Sequence, residues 1–218
     1  MHEFPLLRRI QKRAGFLAIP NLMMILTGAM AIVYLFESFF RAQYGVSLYS
    51  MLYFDRAAIF AGQIWRVFTF LFIPVSSGLL WTILSLMLYL YFGRSLENAW
   101  GSFGFTVYYL LGALGAVLSG FFTGYATNTY LNLSLFFAYA LLDPNHQLYI
   151  FFFIPVKMKW LMWLEAAVFL WSFFLTGWGG KLAMLMAIVN VLLFFWRIPI
   201  EWAKNKWRWM QWKQKWKK

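Results

Sequence analysis

The segment 22–40 constrains this chain most, because Glu37 is its only charged residue and a helix of that length, at 1.5 Å rise, crosses a ~30 Å hydrocarbon core. Further apolar segments follow at 78–93, 103–122, 130–142, 160–176 and 180–196, separated by turns containing Gly, Asn or Pro. The expected fold is therefore all-α: a polytopic membrane protein of six helices. With 63% hydrophobic and 12% charged residues, a 218-residue chain has too little polar surface to cover a water-soluble core. The stretch 41–77 is broken up by Gly45, Asp55, Arg56, Gly62, Arg66 and Pro74 and reads as a long first loop, partly embedded in the membrane. The stretch 144–159, with its aromatic residues and Pro155, is expected to run along the interface before the fifth helix.

Charge placement tests this topology. Fifteen basic residues (the N-terminal arm, Arg94, Lys157, Lys159 and everything from Arg197 on) fall on one side of the six-helix arrangement, and four (Arg41, Arg56, Arg66, Lys181) on the other. Basic residues collect on the cytoplasmic side, so both termini are expected there and the helix count is even. The chain divides into a basic arm, 1–20, a membrane domain, 21–200, and a tail, 201–218. In the tail Trp202, Trp209, Trp212 and Trp216 fall close to one helical face among seven basic residues, the pattern of an amphipathic helix in an anionic headgroup layer. Because the net charge of +12 sits mostly at the two ends of an apolar chain, an anionic bilayer is the expected partner and no nucleic acid is. Absence of cysteine removes disulfides, thiolate nucleophiles and thiolate metal sites. Neither a metal site nor a phosphate-binding loop is legible, and no cofactor is expected.

Several residues carry a physical reading of their own. Trp65 and Arg66 stand where an interfacial loop meets lipid, where an indole and a snorkelling guanidinium anchor a chain. Glu97, between Gly93 and Gly101, is placed to accept backbone N–H groups at the next helix start or to pair with Arg94. Gly112, Ala116, Gly120 and Gly124, at intervals of four, form a small-residue stripe for close helix approach inside the bundle, with a dimer contact as the alternative. Glu37 is four residues before Arg41, a pairing distance on a helix. Glu165 falls in the fifth apolar segment, within reach of Lys157 or Lys159, with a substrate or ion role as the alternative. Asn132 and Asn190 are candidates for hydrogen bonds between helices.

Three of these stretches also resemble motifs of one family. Gln63-Ile64-Trp65-Arg66-Val67-Phe68-Thr69 is similar to the Trp-Arg motif of the long first loop in the rhomboid superfamily. Gly93-Arg94-Ser95-Leu96-Glu97-Asn98-Ala99-Trp100-Gly101 resembles that family's Gly-x3-Glu-x3-Gly signature after the second helix. Asp143-Pro144, followed by Ile154-Pro155-Val156, resembles the link between helices four and five. The resemblance spans roughly residues 65–195 and implies a six-helix rhomboid-like bundle.

Active rhomboids resemble serine hydrolases built on a Ser-His dyad, with the serine in Gly-x-Ser-Gly at the start of helix four and the histidine in a His-x-Gly-Gly-like context on helix six. Here the helix-six match is Gly177-Trp178-Gly179-Gly180, so Gly177 occupies the position of the base, and glycine accepts no proton. For the nucleophile two matches remain open, Ser134 in Asn132-Leu133-Ser134-Leu135 and Thr129 in Thr127-Asn128-Thr129-Tyr130, both without the flanking glycines. The family's oxyanion donors map onto Trp81 and Ser85, where the indole is expected to fill the carbonyl's place. His2 lies in the arm and His146 after helix four, so neither is expected to reach Ser134, whose hydroxyl is expected to bond its own helix or a neighbour. The resemblance thus implies an inactive, derlin-like pseudoprotease that binds transmembrane segments of client proteins. An active protease of non-standard mechanism and a small transporter or membrane scaffold are the alternatives. The oligomeric state is not legible.

Overall fold

The computed structural model describes residues 15, 18–75, 78–150 and 154–195. The arm with His2 and the tail with Trp202, Trp209, Trp212 and Trp216 lie outside these. The described chain is an all-α polytopic membrane protein, as its apolar runs require. In order it forms α1 (Leu22–Tyr44), α2 (Tyr49–Leu52), β1 (Phe54–Asp55), α3 (Arg56–Phe60), α4 (Arg66–Thr69), a 3-10 turn (Phe70–Phe72), α5 (Leu79–Thr123), β2 (Tyr125–Ala126), α6 (Thr129–Leu142), β3 (Gln147–Ile150), β4 (Ile154–Lys157), α7 (Met158–Leu175) and α8 (Trp178–Phe195).

A continuous 45-residue helix would run to about 68 Å, more than twice the ~30 Å hydrocarbon core. α5 avoids this at Gly101, whose φ of 77° and ψ of 162° break it into limbs 79–100 and 102–123. Glycine enters that region at no steric cost, which is what the reversal needs. Side-chain neighbours then fix the directions. Phe92 stacks on Tyr139, whereas Asn128 holds the carbonyls of Leu71 and Ile73 just before the first limb, so that limb runs parallel to α6. Along the second limb, Gly120 faces Ala126, Gly112 faces Leu131, and the Tyr108 hydroxyl donates to the Ser134 carbonyl, an antiparallel course. α8 runs antiparallel to this limb, with Gly179 against Thr123, Met186 against Gly115, and Phe194 on Tyr108 and Trp100. The described chain enters the bundle at the end holding Asn21, Glu97 and Gly101 (the arm end) and leaves it there at Phe195; the opposite end carries the long loop.

Six helical segments therefore match the six expected, with corrected boundaries. α1 continues past 40 to Tyr44, where Gly45 at φ 65° donates its N–H to the Arg41 carbonyl and terminates it. The second segment does not stop at Gly93. Its small size admits the side chain of Met23 rather than breaking the helix, and the break falls at Gly101. The first loop contains three helices and a 3-10 turn, and is tied to the bundle by the β1–β2 pair, Phe54 with Ala126 and Asp55 with Tyr125. Within the stretch 144–159, Gln147–Ile150 and Ile154–Lys157 pair as a β3–β4 hairpin, which satisfies the backbone of the segment against itself. The hairpin in turn starts α7 at Met158, whose N–H reaches the His146 carbonyl at 2.8 Å.

The small-residue stripe packs inside the bundle. A Cβ on Gly112 would collide with Leu131 and Asn190, and one on Gly120 would meet Phe54 and Ala126 within 2.8 Å. Gly124 is not part of this seam: at φ 98° it caps α5, with open space around it. Close approach at Gly93 and open surroundings at Gly28 make a paired test. Gly93→Ala is expected to destabilise the protein by about 1–3 kcal/mol through overpacking against Met23. Gly28→Ala, with nothing within 4 Å, should be neutral or stabilising, and thermal unfolding in detergent compares the two.

Candidate functional site

The Trp-Arg segment organises the loop. α2 ends with carbonyls that have no partner in its own short helix. Arg66, only 8% exposed, donates from Nη1 to the Ser50 and Tyr53 carbonyls at 2.9 and 3.0 Å and from Nε to the Gln63 side chain at 2.6 Å. The Trp65 indole donates to the Met51 carbonyl and the Thr69 hydroxyl to the Leu52 carbonyl. Four successive carbonyls are thus met by three side chains at a spacing of one and three. Arg66 does not snorkel to lipid as a lone anchor would; its guanidinium is the internal cap of the loop, with the Tyr53 ring 5.0 Å away.

Two carboxylates do the same work at other helix ends. Glu97 accepts the Asn21 N–H at 2.8 Å and the Ser102 hydroxyl at 2.6 Å, joining the start of α1 to both sides of the Gly101 break. It makes no ion pair with Arg94, whose guanidinium lies against the Met24 sulfur. Glu37 pairs with Arg41 at 2.9 Å, as expected, and also accepts from the Ser47 hydroxyl and the Tyr49 N–H, which caps α2. Burial, then the Glu37 charge, pushes the Tyr49 phenol up to about 12.

The two candidate nucleophiles, Ser134 and Thr129, line a cleft between the second limb of α5, α6 and α8. Its floor is a cavity of about 20 Å³ at Ser134 and Asn190, room for one water. Its mouth, about 190 Å³, opens toward the loop end beside Thr129, Thr176 and Gly179; Thr127 and Tyr130 line both. The Ser134 hydroxyl is 1% exposed and donates to the Leu131 carbonyl of its own helix at 2.7 Å. Across the cavity α8 presents Ala183, Met186, Ala187 and Asn190, none of them a base. Gly177 is not brought to Ser134. It lies exposed in the turn before α8, and it is Thr129 that shares a cavity with Thr176, Gly179 and Gly180. Trp81 does not fill the cleft, because its side chain is 58% exposed on the outer face of the first limb. Ser85 donates to the Thr82 carbonyl within its own helix.

The comparison with known families adds one result. A family model described as eukaryotic integral membrane protein (DUF1751) matches residues 24–196. The chain belongs to that family. The match begins inside α1 and ends just after α8, so what this eukaryotic membrane family shares with the chain is the bundle. No curated protein and no solved structure matches.

Other polar residues of this family member divide between satisfied and unsatisfied. Asn190 donates to the Tyr108 carbonyl at 3.4 Å, the expected bond between helices, but its Oδ1 has no partner. Asn132, 2% exposed, makes no hydrogen bond through either amide atom. His146 is held at the arm end by the Tyr91 hydroxyl at 2.7 Å and faces Asp143 at 3.7 Å. Glu165 pairs with neither Lys157 nor Lys159; the Lys159 ammonium lies 6.0 Å over the Trp160 ring instead. No group of three or more His, Cys, Asp or Glu fit for a metal occurs among the described residues. Sequence reasoning missed Asn128, which ties the loop to α6 through two carbonyls. The only signal was its place one residue before a helix start.

Arg66→Lys keeps the charge but loses the planar fork that serves Ser50, Tyr53 and Gln63 together. It is expected to cost about 2–3 kcal/mol. The loop 46–75 should become the first site of limited proteolysis, with the bundle helices still protected.

Proposed function

We propose that this chain is a catalytically inactive rhomboid-like protein whose bundle holds transmembrane segments of other membrane proteins, in trafficking or membrane quality control. One observation carries the reading: the Ser134 hydroxyl donates its hydrogen bond to a carbonyl of its own helix, and the α8 surface opposite it offers two alanines, a methionine and an asparagine. A serine hydroxyl without a base within ~2.6–3.2 Å is a poor nucleophile. The alternative nucleophile, Thr129, faces Gly179 and Gly180, which are equally unable to take a proton.

What supports the holding of helices is the shape of the bundle. α6 is only 14 residues long, about 21 Å, and is flanked by a cleft lined with Thr127, Thr129 and Tyr130. A short span thins the surrounding bilayer, and exposed hydroxyls offer partners to a helix with polar residues of its own. We read the arm end as cytoplasmic from its basic residues Arg94, Lys157 and Lys159, at the end where the described chain both enters and leaves the bundle. The Trp-rich tail then meets an anionic headgroup layer.

A fluorophosphonate probe is expected to leave the protein unlabelled; labelling lost on Ser134→Ala or Thr129→Ala would establish an active enzyme instead. A photo-crosslinking residue at Thr127 or Thr129, in the mouth of the cleft, should capture single-span membrane proteins, and lipid adducts alone would refute the proposal. The chain has no cysteine, so single cysteines report orientation directly. In sealed cytoplasmic-side-in vesicles an impermeant maleimide should label Arg56→Cys and spare Arg94→Cys.

A further inference from the structure

Among the described residues every acidic side chain but one has a partner. Glu37 holds Arg41, Ser47 and Tyr49, Asp55 caps α3 through the Ala57 and Ala58 N–H groups, Glu97 holds Asn21 and Ser102, and Asp143 faces His146. Glu165 has neither a hydrogen bond nor an ion pair there. It lies seven residues into α7, about 10 Å from the helix start, which places it inside the hydrocarbon rather than among headgroups. Lipid tails offer a carboxylate nothing, and leaving one unpaired in them costs several kcal/mol. The cations nearest in sequence do not come to it: Lys157 is exposed and Lys159 lies over Trp160.

α7 is also the helix least covered by the rest of the protein. Its inward stripe of Met158, Met162, Glu165, Phe169 and Ser172 follows alternating steps of four and three, the spacing of a helix-packing seam. Only part of that seam is filled. Beside it an open apolar groove of about 350 Å³ runs between α6, α7 and α8, lined by Leu133, Phe137, Met162, Phe169, Ile188 and Leu192. An apolar groove alone would be covered by acyl chains. Glu165 does not line that groove but stands on the same helix between Met162 and Phe169, which do; a helix with a cation seated there would hold the carboxylate ionised, whereas acyl chains would leave it protonated. Lysine or arginine has the reach, since the long stem lets the charge cross from a neighbouring backbone while staying within a few residues of the interface.

We propose that Glu165 selects the occupant of this face: a single transmembrane helix carrying a lysine or arginine about two turns inside the end of its span that lies level with Met158. This rests on the reading of the bundle as a holder of transmembrane segments, and makes that reading specific in charge and in depth.

The test uses the full-length protein in lipid nanodiscs, with a photo-crosslinking residue at Met162, and single-span leucine-alanine reporter helices. One reporter is wholly apolar, one carries lysine two turns from the Met158-level end, and one carries it two turns from the opposite end. The second should give about tenfold more adduct than the other two, about 1.4 kcal/mol of preference. Glu165→Leu should reduce it to the level of the apolar reporter, and Glu165→Asp should retain most of the preference. Thermal unfolding of each variant verifies that the bundle is intact. Equal capture of all three reporters, or a lysine preference that survives Glu165→Leu, overturns the role of Glu165 while leaving the holding of helices in place. Capture of no reporter overturns both, and adducts between two copies of this chain alone would assign the face to self-association instead.

Discussion

Helix ends are the points at which a membrane bundle is most exposed to failure, because their unpaired N–H and C=O groups have no water to turn to in the hydrocarbon. In this protein three nearly buried ionisable side chains meet that demand: Glu37 at the close of α1 and opening of α2, Arg66 at the close of α2, and Glu97 at the opening of α1. Each costs desolvation, and each is offset by two or more hydrogen bonds at 2.6–3.1 Å. The remaining architecture depends on these anchors. Glu97 lets α5 break and reverse beside Gly101 without losing its hold on α1, and Arg66 gathers the loop that closes the opposite end.

What was legible in the sequence and what was not follows from the range of the forces involved. Lipid contact imposes an apolar surface on every turn of a span, so 22–40, 103–122 and 180–196 announce themselves from composition alone. The Gly101 reversal was legible only as a boundary between two such segments, and Gly93 was mistaken for the break because a glycine for turning and a glycine for close packing look alike. The loop was not legible as a structured element, because it is held by single contacts between residues far apart in the chain, such as Asn128 with Leu71 or Arg56 with Phe121, and no local pattern records those pairings. The hairpin pairs locally, Gln147 with Lys157 and Leu148 with Val156, but its two short strands carry no alternation that sets them apart from the apolar segments around them.

The residues that carry the rhomboid resemblance turn out to be architectural ones. Trp65, Arg66, Gly93, Glu97 and Gly101 each close a helix end, admit a neighbour or reverse the chain, and none lines the cleft at Ser134. The presence of such residues is therefore compatible with any use of the bundle. The residues that would decide on hydrolysis lie elsewhere, on α6 and α8, where the side chains facing one another are hydroxyls, small aliphatic groups and one amide.

Asn132 and Asn190 leave three amide atoms buried without a partner, all within or against α6, the shortest span. A buried polar group left unsatisfied costs on the order of 1–3 kcal/mol, and a bundle selected only for its own stability would gain from replacing both residues with leucine or alanine. Neither amide serves a helix end, unlike Glu37, Arg66 or Asn128. For Asn190 the floor cavity has room for a trapped water, whereas Asn132 does not line that cavity. Among the described residues, these three amide atoms in and against the shortest span, with the buried Tyr49 and Tyr109 hydroxyls, are where the fold is least satisfied internally.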